Sequence, residues 1–206
     1  MQFSNPLAVV TPTLDGPVLA ALAAADGSFT TGQLARVLGE GSEEGIRKVL
    51  RRLTAQGIVS AERVGPAFAY RLNRAHLAAE PILALAGVRA TFLTRLEGLL
   101  ASWAQPAAYA AVFGSAGRGT MRPDSDIDLL LVRSDGRDDM WDRQLEHLVS
   151  QVSAWTGNDL RPLVYTLTEL DAARGEPVLL DILDSGITVA GERSWFQRRV
   201  RPPRAK

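Results

Sequence analysis

The sequence has no cysteine, which excludes disulfide bridges and thiolate metal sites. It has no excess of either charge: Lys and Arg total 23, and Asp and Glu total 23. Nucleic acid or membrane therefore exerts no global electrostatic pull, and any such site must be a local basic patch. No apolar run is long enough to span a bilayer. The first residues, MQFSNPLAVV, lack the basic start of a signal peptide. There is no internal repeat and no low-complexity tract. Together these absences lead to the expectation of a soluble, cytoplasmic protein with no membrane partner. Of the 206 residues, 46% are hydrophobic and 22% charged. That composition supports a packed core in one large domain or two small ones.

Three sections follow one another. In the first, residues 1–75, an Ala/Leu-rich stretch (DGPVLAALAAADG) reads as a helix closing on Gly27. Thr30, with Gln33 three residues on, makes a capping box for a second helix that stops at Gly39. A third helix starts at Ser42, with two acids in its first turn to suit the helix dipole, and ends by Gly57. β-Branched and aromatic residues on both sides of Gly65 and Pro66 then predict a hairpin. Three short helices followed by a hairpin form a winged helix-turn-helix pattern.

Residues 76–105 read as one long linking helix. Pro81 suits its first turn, and Leu85, Val88, Phe92, Leu96, Leu99 and Trp103 form an apolar stripe at spacings of three and four. The third section, 106–192, alternates strands (YAAVF, DIDLLLV, LRPLVYT) with a helix over 138–157, which suggests an α/β or α+β domain. Trp141, Leu145, Leu148, Val152 and Trp155 lie on one face of that helix. Residues 193–206 are basic and proline-rich and read as a loosely held tail.

The chemistry concentrates in VFGSAGRGTMRPDSDIDLLLV, residues 112–132. Gly114 and Ser115 follow a strand directly, so backbone N–H groups can approach phosphate oxygens, with a helix N-terminus and the Ser115 hydroxyl beside them. Asp126 and Asp128 lie two apart at a strand start, so both carboxylates share one face. Side by side at the edge of an apolar strand they repel each other, a costly arrangement without a cation between them. Mg²⁺ suits such a pair because it takes few carboxylates and completes its shell with substrate oxygens and water. Arg118 and Arg122, in the intervening loop, can neutralise phosphate charge.

Gly114-Ser115, ten intervening residues, then Asp126-Ile127-Asp128 resembles the signature of the DNA polymerase β-type nucleotidyltransferase superfamily, and most of all its small minimal nucleotidyltransferase domains. Ser125 and the run Ala116-Gly117-Arg118-Gly119 match the fuller pattern. The flanks YRLNRAHLAAEPILAL and LRPLVYTLTEL look like those of bacterial and archaeal proteins that join a winged helix to such a domain. The resemblance implies an α+β chain: an N-terminal winged helix domain, a linking helix, and a nucleotidyltransferase-fold mixed sheet flanked by helices. It also implies Mg²⁺-dependent transfer of a nucleoside monophosphate from an NTP. Asp126 and Asp128 would then be the catalytic and metal-binding residues, with Gly114, Ser115 and Arg118 on the nucleotide. The pattern departs at the third carboxylate of the superfamily, where Arg161 stands. Arg161 can pair with Asp126 or Asp128 and replace a metal. Asp159 has the right side-chain parity to face the site if the register allows, Pro162 implies an edge strand or irregular pairing, and Glu169 reads as a helix cap at Thr168.

A second candidate site lies on the third helix. Arg47 and Arg51 are four apart, as are Lys48 and Arg52, opposite an apolar side of Ile46, Val49, Leu50 and Leu53. This is where a recognition helix would meet DNA, with Arg63 and Arg71 on the expected wing reaching phosphates, the alternatives being a solvated helix face or a protein contact. The apolar stripe of the linking helix supplies either a homodimer contact or packing within the chain. His76 and His147 have no metal-ligand company and read as structural. Three functions follow: a nucleotidyltransferase acting on an unknown acceptor such as a protein hydroxyl, a transcriptional regulator with a nucleotide-sensing domain, and an antitoxin that binds a partner toxin.

Overall fold

The computed structural model describes residues 1–39, 41–136 and 139–202. It divides into two compact units, one of Ser4–Arg89 with Gln2, the other from Ala90 on with Met1 and Phe3. Asp138, the first acid of the expected 138–157 helix, and tail residues 203–206 lie outside the described residues.

In the first unit a 3-10 turn, Pro6–Val9, precedes helices α1 (Asp15–Ala24), α2 (Thr31–Leu38) and α3 (Glu43–Ala55). Their ends follow local chemistry. Thr30 accepts from the Gln33 N–H while the Gln33 side chain accepts from the Thr30 N–H, the reciprocal capping box. Gly39 closes α2 in the left-handed region at φ 64°, which a side chain would disfavour. Ser42 caps α3 through the Gly45 N–H. Strands β1 (Val59–Val64) and β2 (Ala67–Leu72) form an antiparallel hairpin around Gly65 and Pro66. Leu22, Leu34, Ile46, Leu50 and Leu53 are almost fully buried and knit the helices together, while Val59 and Leu72 tie the hairpin to them.

The expected long helix over 76–105 is two helices, α4 (Ala79–Ala86) and α5 (Val88–Ala101). The break falls at Gly87, whose N–H still reaches the Leu83 carbonyl but whose backbone leaves the helix at ψ 5°. Glycine carries the largest backbone entropy loss in a helix, so the chain departs there at least cost. The two-unit boundary lies between Arg89 and Ala90, so α4 falls in the first unit and most of α5 in the second. The apolar stripe is used within the chain. Of its members Phe92, Leu96 and Trp103 are buried, with Trp103 packed edge-on against Trp141 at 4.9 Å between ring centroids, and Leu85, Val88 and Leu99 are half-buried.

The second unit continues with β3 (Tyr109–Phe113), α6 (Gly114–Arg118), β4 (Ile127–Arg133), α7 (Asp139–Thr156), β5 (Leu160–Thr166), α8 (Leu167–Ala172), α9 (Pro177–Ser185), β6 (Ile187–Ala190) and α10 (Arg193–Val200). The sheet runs β5-β4-β3-β6. β3 is antiparallel to both β4 and β6, whereas β4 and β5 are parallel, so this is a mixed sheet in an α+β unit. β5 is an edge strand, as Pro162 requires. Leu129, Leu130, Leu131 and Val132 of β4 are fully buried, which fits a central strand covered on both faces. Among the described residues no helix is long and apolar enough to cross a membrane.

The expectation of a loose tail fails at its start. Residues 193–200 form α10, with Phe196 and Val200 fully buried and the Phe196 ring stacked on Tyr109 at 4.4 Å. Two apolar residues four apart anchor this helix although most of its other residues are basic or polar. Trp195 has a role here too: it lies against Tyr109, and the Arg199 guanidinium sits 4.9 Å from its ring centroid.

Candidate functional site

The glycine turn and the aspartates meet at one end of the β3–β4 pair. Phe113 is opposite Asp128 across the antiparallel register, so Gly114 comes directly against the Asp128 carboxylate. Gly114 has φ 64°, and a Cβ there would lie 2.2 Å from Asp128 Oδ2. Backbone conformation and packing thus both demand glycine at this position. Gly114 is also the first residue of α6, which follows β3 directly. This helix is only five residues long and closes at Gly119.

Asp126 precedes β4 and Asp128 lies within it, on the same face by strand parity. The Asp128 carboxyl is pushed above the ordinary aspartate range, first by burial and then by the negative charge of Asp126. Arg161 and Arg118 pull it the other way without cancelling the rise. Arg161 is the register partner of Asp128 on β5, and its Nη2 lies 2.8 Å from Asp126 Oδ2. Arg118 Nη1 lies 3.0 Å from Asp181 Oδ2 on α9. Both guanidiniums beside Asp128 are therefore engaged by other carboxylates. Asp159 is exposed just ahead of β5, and its carbonyl accepts from the Ile127 N–H. Among the described residues no group of three or more His, Asp or Glu side chains converges to hold a metal.

The loop leading into Asp126 is pinned by a residue that motif reasoning passed over. Asn158 is 5% exposed and donates from its side-chain amide to the carbonyls of Pro123, at 3.2 Å, and Ser125, at 2.8 Å. The Ser125 hydroxyl accepts from the Arg122 N–H at 2.8 Å and closes the turn. Neither Asn158 nor Asp181 carries a local sequence signal, since each acts on a segment distant in the chain. Arg122 is exposed in this loop. Glu169 is a cap, but at Thr166 rather than Thr168, because the Thr166 hydroxyl accepts from the Glu169 N–H. Its carboxyl is held below the usual range by the Thr166 N–H and hydroxyl, which occupy it away from the aspartate pair.

The basic residues of the first unit separate into groups. Arg47 and Arg51 line a groove of about 680 Å³ together with Thr30, Thr31, Pro66, Phe68 and Tyr70. Lys48 is exposed. Arg47 is also ion-paired with Glu44 at 2.6 Å. Arg52 departs from the expected stripe: it is ion-paired with Asp15 at the start of α1. Arg63 shares a hairpin face with Phe68, its register partner, and its Nε donates to the Gly65 carbonyl at 3.4 Å. Arg71 pairs with Ser60 and so projects from the opposite face, which separates the two hairpin arginines. His76 Nδ1 accepts from the Ala78 N–H, a structural role, and His147 is exposed on α7.

Comparison with solved structures gives distant likenesses. A crystal structure of a toxin-antitoxin with AMP-PNP is 18% identical with a TM-score of 0.40, over 52% of this chain and 80% of that one. A mutant of the toxin-antitoxin MntA-HpeT is 15% identical with a TM-score of 0.39, over the same shares. TrmBL2, an archaeal chromatin protein whose structure shows a novel mode of DNA binding, is 17% identical with a TM-score of 0.30, over 86% of this chain and 75% of that one. No curated protein matches the chain. Residues 96–175 match the family model of the nucleotidyltransferase domain, a stretch that holds β3, the glycine turn, both aspartates and β5.

Proposed function

We propose that the second unit binds a nucleoside triphosphate at Gly114, Ser115 and the Asp126/Asp128 pair and transfers its nucleoside monophosphate to a hydroxyl on a partner macromolecule. The observation that carries this reading is the packing of Asp128 against Gly114 at φ 64°, which joins a phosphate-approachable turn to a carboxylate pair at one sheet end. The nucleotidyltransferase match over residues 96–175 supports it. The donor set fits one Mg²⁺: two hard carboxylates on one face, with phosphate and water completing the shell. Bound by Asp126 and Asp128, the ion would offset charge on the phosphates and on the leaving oxygen.

The acceptor oxygen attacks the α-phosphorus, the bond from that phosphorus to the bridging oxygen breaks, and pyrophosphate leaves. The acceptor proton passes to a base, for which another group such as Glu169 or a residue of the partner macromolecule would serve. Gly114 and the first turn of α6 present N–H donors to the phosphates. Arg118, once released from Asp181, would neutralise developing charge. Arg161 beside the half-buried pair is largely exposed, which suits an acceptor carried on a large partner such as a protein.

In this reading the first unit is a winged helix that brings the chain to DNA, with α3 as its recognition helix. Arg47 and Arg51 open into one groove between α3 and the hairpin, where duplex phosphates and base edges would lie. One observation favours a second reading, a regulator that senses nucleotide without turning it over: Arg161 occupies Asp126.

Labelled ATP, GTP, CTP and UTP with Mg²⁺ separate the two. Transfer of label to a protein acceptor, lost in Asp126→Asn, is the expected result. Silence from both proteins, with nucleotide still changing DNA affinity, rejects transfer in favour of sensing.

A further inference from the structure

The Arg161–Asp126 pair constrains how a nucleotide site here can be loaded. The guanidinium lies 2.8 Å from Asp126 Oδ2, so that oxygen cannot serve a divalent ion while Arg161 remains. Withdrawing Arg161 alone would leave Asp126 and Asp128 facing each other with their repulsion unrelieved. When both carboxyls are ionised the pair needs a cation, and in the absence of metal the chain supplies its own. The ion pair is easily exchanged. Arg161 is 70% exposed, against 27% for Asp126, and such a pair is weak and readily screened. It also stands on β5, which among the described residues is an edge strand of the sheet. A guanidinium released there needs an anionic partner, and a polyphosphate offers the bidentate geometry that it binds best.

We infer that Arg161 is an exchangeable resident cation on Asp126, which a divalent metal displaces when a nucleoside triphosphate takes over the guanidinium, so that metal and nucleotide load together. This rests on the nucleotide-binding reading above. It makes Arg161 a coupling residue that prevents empty metal loading, in the place where a third metal-binding carboxylate was expected.

The coupling is measurable without turnover. Mn²⁺ binding to the full chain is followed by electron paramagnetic resonance, with and without an α,β-methylene ATP analogue, after correction for Mn²⁺ bound to the analogue alone. In wild type the analogue should tighten Mn²⁺ binding by about tenfold or more, within the ordinary range of coupling between two ligands. Arg161→Gln, an exposed substitution that threatens no core, should bind Mn²⁺ alone several-fold more tightly and lose most of the coupling. Wild-type Mn²⁺ affinity and coupling in R161Q would overturn the exchange, even with analogue binding intact and dependent on Asp128. Failure of wild type to bind the analogue at all, as in Asp128→Asn, would overturn both the exchange and the nucleotide reading beneath it.

Discussion

Gly114 is the residue least free to change. A Cβ would meet Asp128 Oδ2 at 2.2 Å, and φ 64° disfavours any L side chain by roughly 1–2 kcal/mol. Gly114→Ala is expected to lower stability by at least about that amount and to weaken nucleotide binding, as read by urea denaturation and by nucleotide titration. A variant equal to wild type in both would remove the glycine from the site. Asp128 makes a second prediction. Its folded-state pKa is raised, so the folded chain holds a proton that the unfolded chain has already lost. Stability therefore falls as pH rises from the unfolded aspartate range through the raised value, and the penalty is complete above it. Asp128→Asn should accordingly be more stable than wild type near neutral pH and lose that advantage under acid, while losing nucleotide binding. Thermal melts across pH check the sign, and a variant less stable at neutral pH contradicts it. The order of glycine turn and aspartates was legible because it lies within one short stretch of chain. That Arg161 settles on Asp126 rather than Asp128 was not, because it depends on side-chain placement across the β4–β5 pairing. Asp181 was invisible for the same kind of reason, since its partner Arg118 lies on another helix.

At the scale of elements, helix ends were the most readable features. Thr30, Ser42 and Gly39 act on groups three or four residues away, and the folded chain uses each of them at the expected terminus. The hairpin around Gly65 and Pro66 was equally local. The long helix misled because apolar spacing continues across Gly87 although the backbone does not. The basic C-terminal segment misled in the opposite way. Its charge suggested solvent, yet Phe196 and Val200 suffice to bury one face of α10 beneath the sheet residue Tyr109. Phe196→Ala should therefore destabilise the chain by about 3–5 kcal/mol, the range for a fully buried phenylalanine. Chemical denaturation measures it. A loss below about 1 kcal/mol would mean that α10 is peripheral to the core, as the sequence alone had suggested. β6 and α9 escaped notice because they are short, and neither lies in a segment with a long periodic pattern.

Over the whole molecule, balanced charge makes any DNA affinity a property of one face. Arg47 and Arg51 share a groove with the hairpin, whereas Arg52 is turned to Asp15. If α3 is a recognition helix, each guanidinium in the groove that neutralises a phosphate releases counterions, and the salt dependence of binding records how many do so. The full chain carrying Arg47→Ala and Arg51→Ala should bind duplex DNA more weakly at low salt. The slope of log affinity against log salt should flatten by about 0.9 for each phosphate that is no longer neutralised, or about 2 for both. Arg52→Ala should change the slope less, since its charge is already engaged by Asp15, and should instead show its effect in stability. Nucleotide binding should be the same in all three proteins, because these arginines belong to the first unit and the aspartate pair to the second. An unchanged slope in the double variant excludes the groove as the DNA surface. An equal loss from Arg52→Ala would assign the affinity to diffuse charge on α3 rather than to the two arginines that open beside the hairpin.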